Sequence, residues 1–219
     1  MPDAHAPDDY GIYISDQAFR ESKQLVSISL PNDNLYVNQS QFIDCYSLKN
    51  VIVNNQDAMF IASEAFANCY SLENIVLPDS IETIGDWAFY GCRSLKNINT
   101  SNIRSIGYGA FSGCRSIKEI LLPSSLTEIG GCAFANCSSL RKVILEGNLR
   151  IIPDLAFSDC FSMKEFHIHS MTPPYLETNT VFVNTPSDFV IYVPPGSLNA
   201  YKTATNWSLY ADRIREEGT

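Results

Sequence analysis

Seven cysteines are the side chains in this 219-residue sequence with the greatest potential for chemistry, since thiols form disulfides and bind zinc. Six of them recur every 22 to 24 residues: Cys45, Cys69, Cys92, Cys114, Cys137 and Cys160. Consecutive members are close enough for a disulfide on distance alone, but such a column does not converge on the tetrahedral point that zinc requires. We interpret the six as reduced cysteines that pack inside the fold. Cys132 lies off the column and is the candidate for crosslinking.

Two histidines and one carboxylate are expected to share the face of one strand. His167 and His169 lie two residues apart, and Glu165 precedes them on the same side. Two imidazoles form a weak metal signal, so we interpret them as surface residues, with a weak metal site as the alternative. The sequence has no Ser-His-Asp arrangement, phosphate-binding loop or zinc-hydrolase motif. We therefore expect no catalytic residues, no cofactor and no enzymatic activity.

The elements that hold these side chains follow from a repeat in phenylalanine. Eight of the twelve phenylalanines recur every 22 to 25 residues: Phe19, Phe42, Phe66, Phe89, Phe111, Phe134, Phe157 and Phe182. Each column cysteine follows one of them by three residues, and Ser22 and Thr185 take this place in the first and last units. A period of about 20–29 residues is typical of a leucine-rich repeat solenoid, in which stacked units share one continuous core.

One complete unit extends from Ser71 to Cys92, with the pattern S-L-x-x-I-x-L-P-x-S-I-x-x-I-G-x-x-A-F-x-x-C. Its L-x-x-I-x-L segment has apolar residues at period two and predicts a short strand that the proline ends. Its A-F-x-x-C segment predicts a short helix or 3-10 turn on the opposite side. The residues expected to cap such turns are Asp16, Ser63, Asp86 and Asp154.

The repeat also predicts how the chain is organised. Residues 10–193 are expected to form about eight rungs of one solenoid, after a flexible tail at residues 1–9. Residues 194–219 are expected to form a helical C-terminal cap whose aromatic side chains cover the last rung. The unit from Leu95 to Cys114 lacks the Leu-Pro, which places the length variation just after the strand.

The motif I-G-x-x-A-F-x-x-C-x-S-L resembles the BspA-like leucine-rich repeat family, which is also described from treponemal proteins. The resemblance covers residues 12–193, and the segment from Pro173 resembles the terminal part of such proteins from Bacteroides-type gut and oral bacteria. It implies a right-handed α/β solenoid with short parallel strands on the concave face and helical or 3-10 turns opposite. It also implies a surface or secreted protein that binds other macromolecules, sometimes host matrix proteins, without common catalytic residues.

The composition argues against several classes of function. A formal net charge of −9 disfavours a nucleic-acid-binding protein, which needs a cationic surface. There is no run of about 18 apolar residues, so no membrane span is expected. Residues 1–9 are polar and acidic and do not form a secretory signal, which leaves a cytoplasmic protein and a processed surface protein both open.

The strands are the predicted site for a protein ligand, because solenoid strands line an extended surface. In the strand motif the third and fifth positions should point outward, and the second lies at the strand edge. Five of the fifteen Lys and Arg residues fall at that edge, beside a broken stripe of apolar residues. The predicted ligand-binding residues are Lys49, Asn50, Ile52, Asn74, Val76, Lys96, Asn97, Asn99, Lys118, Glu119, Leu121, Arg141, Ile144, Lys164 and His167.

Three other interpretations fit the same sequence. The lysines and β-branched residues can be an ordinary solvated strand face without a ligand. The solenoid can be a structural spacer that presents another domain. A glycan-binding module would use exposed aromatic residues, either Tyr46, Tyr70 and Phe161 or a platform of Trp207 and Tyr210.

Overall fold

Short parallel strands dominate the structure, a computed structural model that describes residues 17–30 and 37–218. The expected tail at residues 1–9 and the predicted cap residue Asp16 lie outside these ranges. Every described strand pairing is parallel and joins segments one repeat apart in sequence. The described residues therefore form a β-solenoid of stacked coils, in which each repeat is one rung.

The L-x-x-I-x-L segments form the first column of strands, which we call the strand face. Numbered along the chain, its members are β1 (Ser27–Leu30), β2 (Asn50–Val53), β4 (Asn74–Val76), β7 (Glu119–Leu122), β9 (Lys142–Leu145), β11 (Glu165–Ile168), β13 (Val190–Val193) and β14 (Ile214–Glu216). Alternate residues point inward, so that Ile120 and Leu122 of β7 are buried while Glu119 and Leu121 are exposed. This alternation is the period-two pattern of the sequence.

A second column of two-residue strands follows the first within most rungs. Its members are β3 (Phe60–Ile61), β5 (Thr83–Ile84), β6 (Ser105–Ile106), β8 (Glu128–Ile129), β10 (Ile151–Ile152) and β12 (Tyr175–Leu176). The second residue of each strand is buried and the first faces outward. Between the two columns, prolines such as Pro78 and Pro123 are buried where the first strand ends.

The A-F-x-x-C segments form a third column, which we call the turn face. The expectation of short helices here is wrong, since residues 17–30 and 37–193 contain turns and strands but no helix. Left-handed residues lie two positions before and after the phenylalanine, as in Glu64 and Asn68 around Phe66, with φ of 57° and 60°. They interrupt any helix and direct N–H groups along the solenoid, so that Phe66 donates to the Ala88 carbonyl at 2.8 Å.

The acids predicted to cap helices mainly link neighbouring rungs instead. The Asp86 carboxylate accepts a hydrogen bond from the Tyr108 backbone N–H of the next rung at 2.7 Å. Asp154 accepts from the Thr178 hydroxyl at 2.7 Å and also from the Thr180 hydroxyl. These two hydroxyls lower the pKa of Asp154. The two aspartates therefore have a structural role, but they connect successive rungs along the solenoid axis instead of capping one turn.

The phenylalanines and cysteines form two interior columns behind the turn face. The eight Phe rings stack face to face, with consecutive centroids 5.1–5.8 Å apart. Each column cysteine donates its S–H to the Phe carbonyl of an earlier rung, as Cys114 does to Phe89 at 3.2 Å. All seven cysteines carry free thiols. Burial raises the pKa of the Cys92, Cys114, Cys137 and Cys160 thiols, because the thiolate would lose its hydration.

The strand face is interrupted at the unit that lacks the Leu-Pro. Asn97 pairs with Asn74 through an isolated bridge, but its segment forms no described ladder with β7. The Thr100 hydroxyl donates to the Leu121 carbonyl at 2.5 Å and thus satisfies one acceptor that a strand would have paired. The first column therefore splits into a three-stranded and a five-stranded sheet.

The C-terminal segment combines a helix, a 3-10 helix and a strand. Helix α1 spans Leu198–Thr203, the 3-10 helix spans Trp207–Arg213, and β14 extends the five-stranded sheet next to β13. Trp207 is fully buried, and its indole N–H donates to the Pro174 carbonyl at 2.7 Å. Only part of this segment is thus helical. Within residues 17–30 and 37–218 no helix has the length and apolar composition needed to cross a membrane.

Candidate binding surfaces

The outward apolar residues of the strand face lie in two groups. Ile52 and Val76 are register partners in the three-stranded sheet and are 41% and 56% exposed. Leu121 and Ile144 are register partners in the five-stranded sheet, where Leu121 is 41% exposed and Ile144 is half-buried. Large exposed aliphatic residues in a row are a recognised feature of protein-binding surfaces. The structure brings together the members of each pair and separates the two pairs at the interrupted unit.

The predicted site residue Asn99 is part of that interruption. Its side-chain oxygen accepts hydrogen bonds from the backbone N–H and the hydroxyl of Ser101, at 3.0 and 2.8 Å. Its amide nitrogen donates to the Asp79 carboxylate at 3.0 Å. Asn99 therefore stabilises a turn, and the strand-face row on which it was predicted does not continue through it. The absent Leu-Pro was the sequence signal for this difference.

The polar row beside the apolar one is partly satisfied by its own members. Asn74 donates its amide to the Asn50 side-chain oxygen at 3.0 Å, and Asn50 donates to the Ser27 hydroxyl at 3.4 Å. Asn97 is exposed beyond Asn74, and Glu119 is exposed in β7. In the five-stranded sheet the row continues with Lys142, which forms an ion pair with Glu165 at 3.2 Å.

The cationic edge differs between the two sheets. Lys96 forms an ion pair with Glu73 at 2.7 Å, and its ammonium lowers the pKa of that carboxyl. Lys118, Arg141 and Lys164 are exposed, and no carboxylate of the described residues lies within ion-pairing distance of them. Their charges are therefore available to a ligand at the amino-terminal ends of β7, β9 and β11. Lys49 is also exposed.

His167 is held by its neighbours rather than free for a ligand. Its Nδ1 lies 2.6 Å from the Glu217 carboxylate and its Nε2 lies 3.1 Å from the Glu165 carboxylate. Its ring stacks on Tyr192 with centroids 4.7 Å apart, and its side chain is 14% exposed. Among the described residues, no group of three His, Cys, Asp or Glu side chains has an arrangement that could hold a metal ion.

The aromatic residues of the glycan alternative fall in two different environments. Trp207 is fully buried and Tyr210 is 8% exposed, so the alternative of an exposed aromatic platform built on these two residues is wrong. Both are buried because they pack over Phe182 at the end of the phenylalanine stack. Tyr46 and Tyr70 are accessible on the turn face, where their rings stack 5.0 Å apart.

A groove of about 590 Å³ on the turn face was not foreseen from the sequence. Trp87 and Tyr90 both line it and form an edge-to-face pair, with ring centroids 5.2 Å apart. Cys132 also lines it, and its Sγ lies 3.3 Å from the Tyr108 hydroxyl. The available signal was the residue after each repeat phenylalanine, which is Ala or Ser in four of the six units that line the groove and large at Tyr90.

Comparisons with known proteins agree with this geometry. The family model for the BspA type leucine-rich repeat region, with six copies, matches residues 7–99 and 59–185. A leucine-rich repeat protein of Bacteroides ovatus is 28% identical with a TM-score of 0.62, and the match covers 77% of this chain. It covers 47% of that protein, so this chain spans less than half of its length.

Two further solved structures extend the comparison. The leucine-rich repeat protein of T. pallidum is 29% identical over 66% of this chain and 72% of its own, with a TM-score of 0.59. The pneumococcal vaccine antigen PcpA is 21% identical over 94% of this chain and 42% of its own, with a TM-score of 0.50, and shares the fold alone. No curated protein sequence matches the chain significantly.

Proposed function

Because this chain belongs to the BspA-type leucine-rich repeat family, we propose that it is a non-enzymatic protein that binds a polypeptide ligand on its strand face. Leucine-rich repeats generally mediate protein interactions, which is consistent with a binding or scaffold role. The single observation that carries the proposal is the two pairs of outward aliphatic side chains on the strand face, beside exposed cationic residues, in an acidic protein. Adhesion to host or matrix proteins at the bacterial surface is the finer form of this proposal, which the family resemblance suggests.

The apolar part of the surface supplies the contact area. Ile52, Val76 and Leu121 each expose two-fifths or more of their surface, although alternate residues of the same strands are buried. In each sheet, apolar side chains in register on adjacent strands form a short strip, and another polypeptide can cover both strips. Covering them removes apolar surface from water, which is the main favourable contribution to such binding.

The charged part of the surface determines which polypeptide fits. Lys118, Arg141 and Lys164 form a cationic line along successive strands of the five-stranded sheet, and no carboxylate of the described residues lies within ion-pairing distance of them. Their arrangement complements a ligand with acidic residues beside apolar ones. Such complementarity accelerates association and makes the association rate depend on salt.

Substitutions on the strand face test this proposal. Val76→Glu combined with Leu121→Glu places one carboxylate in each apolar strip, and the matched control is Ile151→Glu on the second strand column, where Ile151 is 49% exposed. We measure retention on an immobilised extracellular-matrix protein extract by surface plasmon resonance. We expect the double variant to bind at least about tenfold more weakly, and the control to bind as the unmodified protein does.

Two outcomes would contradict the proposal. Equal binding by the double variant would show that the strand face is not the contact surface. Absence of binding by the unmodified protein to every component of the extract would instead favour the spacer interpretation. Circular dichroism of each variant checks that the solenoid is intact.

A further inference from the structure

We propose that the groove on the turn face is a second binding site, separate from the strand face, and that it takes an extended neutral hexopyranose glycan. The groove spans six rungs, from the rung of Phe42 to that of Phe157, and encloses about 590 Å³. Such a volume is typical of small-ligand sites in proteins. Four features of the groove argue for a carbohydrate.

The groove has a floor of small residues between two walls. The residue after each repeat phenylalanine forms the floor, and Ala67, Ser112, Ala135 and Ser158 occupy this place in four of the six rungs. These four residues are at most 7% exposed. The left-handed residues on either side, such as Cys132 and Asn136, form the walls. The left-handed turns thus hold both walls above a recessed floor.

The floor carries two hydroxyl groups that no other protein group engages. Ser112 and Ser158 are 7% and 2% exposed, and neither hydroxyl forms a hydrogen bond with the described residues. Elsewhere in the fold a comparable serine is satisfied, as the Ser80 hydroxyl is by the Ala58 carbonyl at 2.7 Å. Among the described residues, the one buried side-chain polar atom without a partner is the Gln41 amide nitrogen, so both serine hydroxyls reach the solvent in the groove. A ligand rich in hydroxyls would replace this water as their hydrogen-bond partner.

The aromatic pair offers a surface for sugar rings. Tyr90 is the one large residue on the floor besides Ile43, is 41% exposed, and meets Trp87 edge to face. The Trp87 indole packs against the backbone at Gly109, where a Cβ would lie 2.4 Å from the ring. This contact fixes the orientation of the indole. Axial C–H groups of a pyranose pack on the electron-rich face of such a fixed ring, while its hydroxyls remain free for hydrogen bonds.

The spacing and the charge of the groove favour a neutral glycan over a peptide. In these rungs consecutive Phe centroids lie 5.2–5.5 Å apart, close to the rise of one residue in an extended β-linked hexopyranose chain. An extended peptide advances about 3.3 Å per residue and does not stay in step with the rungs. Carboxylates of Glu64 and Asp159 line the groove, which disfavours an anionic ligand.

Affinity gel electrophoresis of the full chain in soluble polysaccharides tests the proposal. The probes are a mixed-linkage β-glucan, a β-mannan, an α-glucan and the polyuronate alginate. Tyr90→Ala removes the exposed ring, and its matched control is Tyr175→Ala, which removes a 53% exposed tyrosine of β12 outside the groove. Ala135→Tyr fills the groove at the repeat position where Tyr90 stands naturally. Val76→Glu tests independence from the strand face.

We expect at least one of the two β-linked neutral polysaccharides to retard the unmodified chain. Tyr90→Ala should weaken this binding about tenfold and Ala135→Tyr should abolish it, whereas Tyr175→Ala and Val76→Glu should leave it unchanged. If Ala135→Tyr does not fold, the combined Ser112→Ala and Ser158→Ala substitution takes its place and should weaken binding. The proposal is overturned if no neutral β-linked polysaccharide retards the chain, if alginate alone does, or if the groove variants bind like the unmodified protein.

Discussion

The turn face and the strand face both run the length of the solenoid, but only the turn face is continuous. On the turn face, each rung donates backbone N–H groups to the next without a gap, from Phe19 to the Gln41 carbonyl at 3.1 Å through Phe157 to the Val181 carbonyl at 3.0 Å. On the strand face the ladder breaks between β4 and β7, and one threonine hydroxyl bridges part of the gap.

This difference indicates which side sets the register of the rungs. The turn face combines the N–H ladder with the stacked phenylalanines and the cysteine-to-carbonyl bonds, and the column of Phe centroids shows no irregularity at the short unit. The strand face can therefore lose a strand without loss of the fold. A solenoid held together on one side leaves the outward residues of the other side free to vary with the ligand.

Truncation of one stacked ring gives the strongest test of this comparison. Phe111→Ala removes a fully buried ring at the short unit, whereas Leu121→Ala removes an exposed side chain on the strand face nearby. We expect Phe111→Ala to lower the free energy of unfolding by about 3–5 kcal/mol, and Leu121→Ala to change it by less than about 0.5 kcal/mol. Urea denaturation followed by circular dichroism measures both. Similar losses for the two variants would contradict a dominant turn face.

The sequence predicts the phenylalanine and cysteine columns much more clearly than it predicts the backbone conformation of the turn face. A spacing of 22–25 residues places one phenylalanine and one cysteine on every rung, because core packing repeats the same residue types. The left-handed backbone could not be predicted, since residues as different as Glu64, Trp87 and Leu155 adopt it. It is imposed by hydrogen bonds to the next rung rather than by local preference.

For the candidate surfaces too, the sequence predicts what the repeat pattern determines and not the contacts between distant residues. Alternation in the strand motif is enough to predict that Val76 and Leu121 point outward, and both are exposed. It does not predict that His167 is engaged by Glu217, a contact between residues 50 apart in sequence. The groove is formed by three separate repeat positions and becomes recognisable only when the rungs are stacked.

A close contact between rungs on the turn side gives the next largest expected effect. A Cβ at Gly130 would lie 2.4 Å from the Tyr108 backbone nitrogen and 2.5 Å from the Gly107 carbonyl carbon. Because backbone atoms cannot move aside easily, we expect Gly130→Ala to destabilise the fold by about 1–3 kcal/mol.

The adjacent glycine is the matched control. At Gly131 a Cβ would meet the Tyr108 side chain at 3.2 Å, so Gly131→Ala should change stability by no more than about 1 kcal/mol in either direction. Thermal unfolding of the two variants measures the difference. If both variants melt together, rung spacing is not fixed by close backbone approach at this column.

The buried thiols predict a loss of stability at alkaline pH. Desolvation raises the pKa of Cys137 to about 12 in the folded chain, above the ordinary thiol value of 9.0. Between pH 9 and about pH 12 the thiol is therefore ionised in the unfolded chain and still protonated in the folded chain. Over this range the thiol lowers the free energy of unfolding by about 1.4 kcal/mol per pH unit. Cys137→Ala should make the slope of stability against pH shallower above pH 9. Urea denaturation between pH 8 and about 11 reports the slopes of the unmodified chain and of the variant. A slope that Cys137→Ala does not change would exclude the thiol column as its cause.

The smallest effect is expected from ion pairs on the strand face. Hydrogen bonds from His167 and Lys142 lower the pKa of Glu165, so its contribution is present above the ordinary Glu range and is lost as pH falls through the lowered pKa. The Glu165 side chain is 42% exposed, and solvent screening limits this contribution to at most about 1 kcal/mol. Glu165→Gln should therefore lower the melting temperature slightly at pH 7, and the loss should shrink as the pH falls through the lowered pKa. Glu146→Gln, which removes an exposed carboxylate without an ion pair among the described residues, is the matched control at pH 7. A large fall in melting temperature with Glu165→Gln would mean that the charged strand-face residues are needed for the stability of the fold. These residues could then not vary in sequence to suit different ligands.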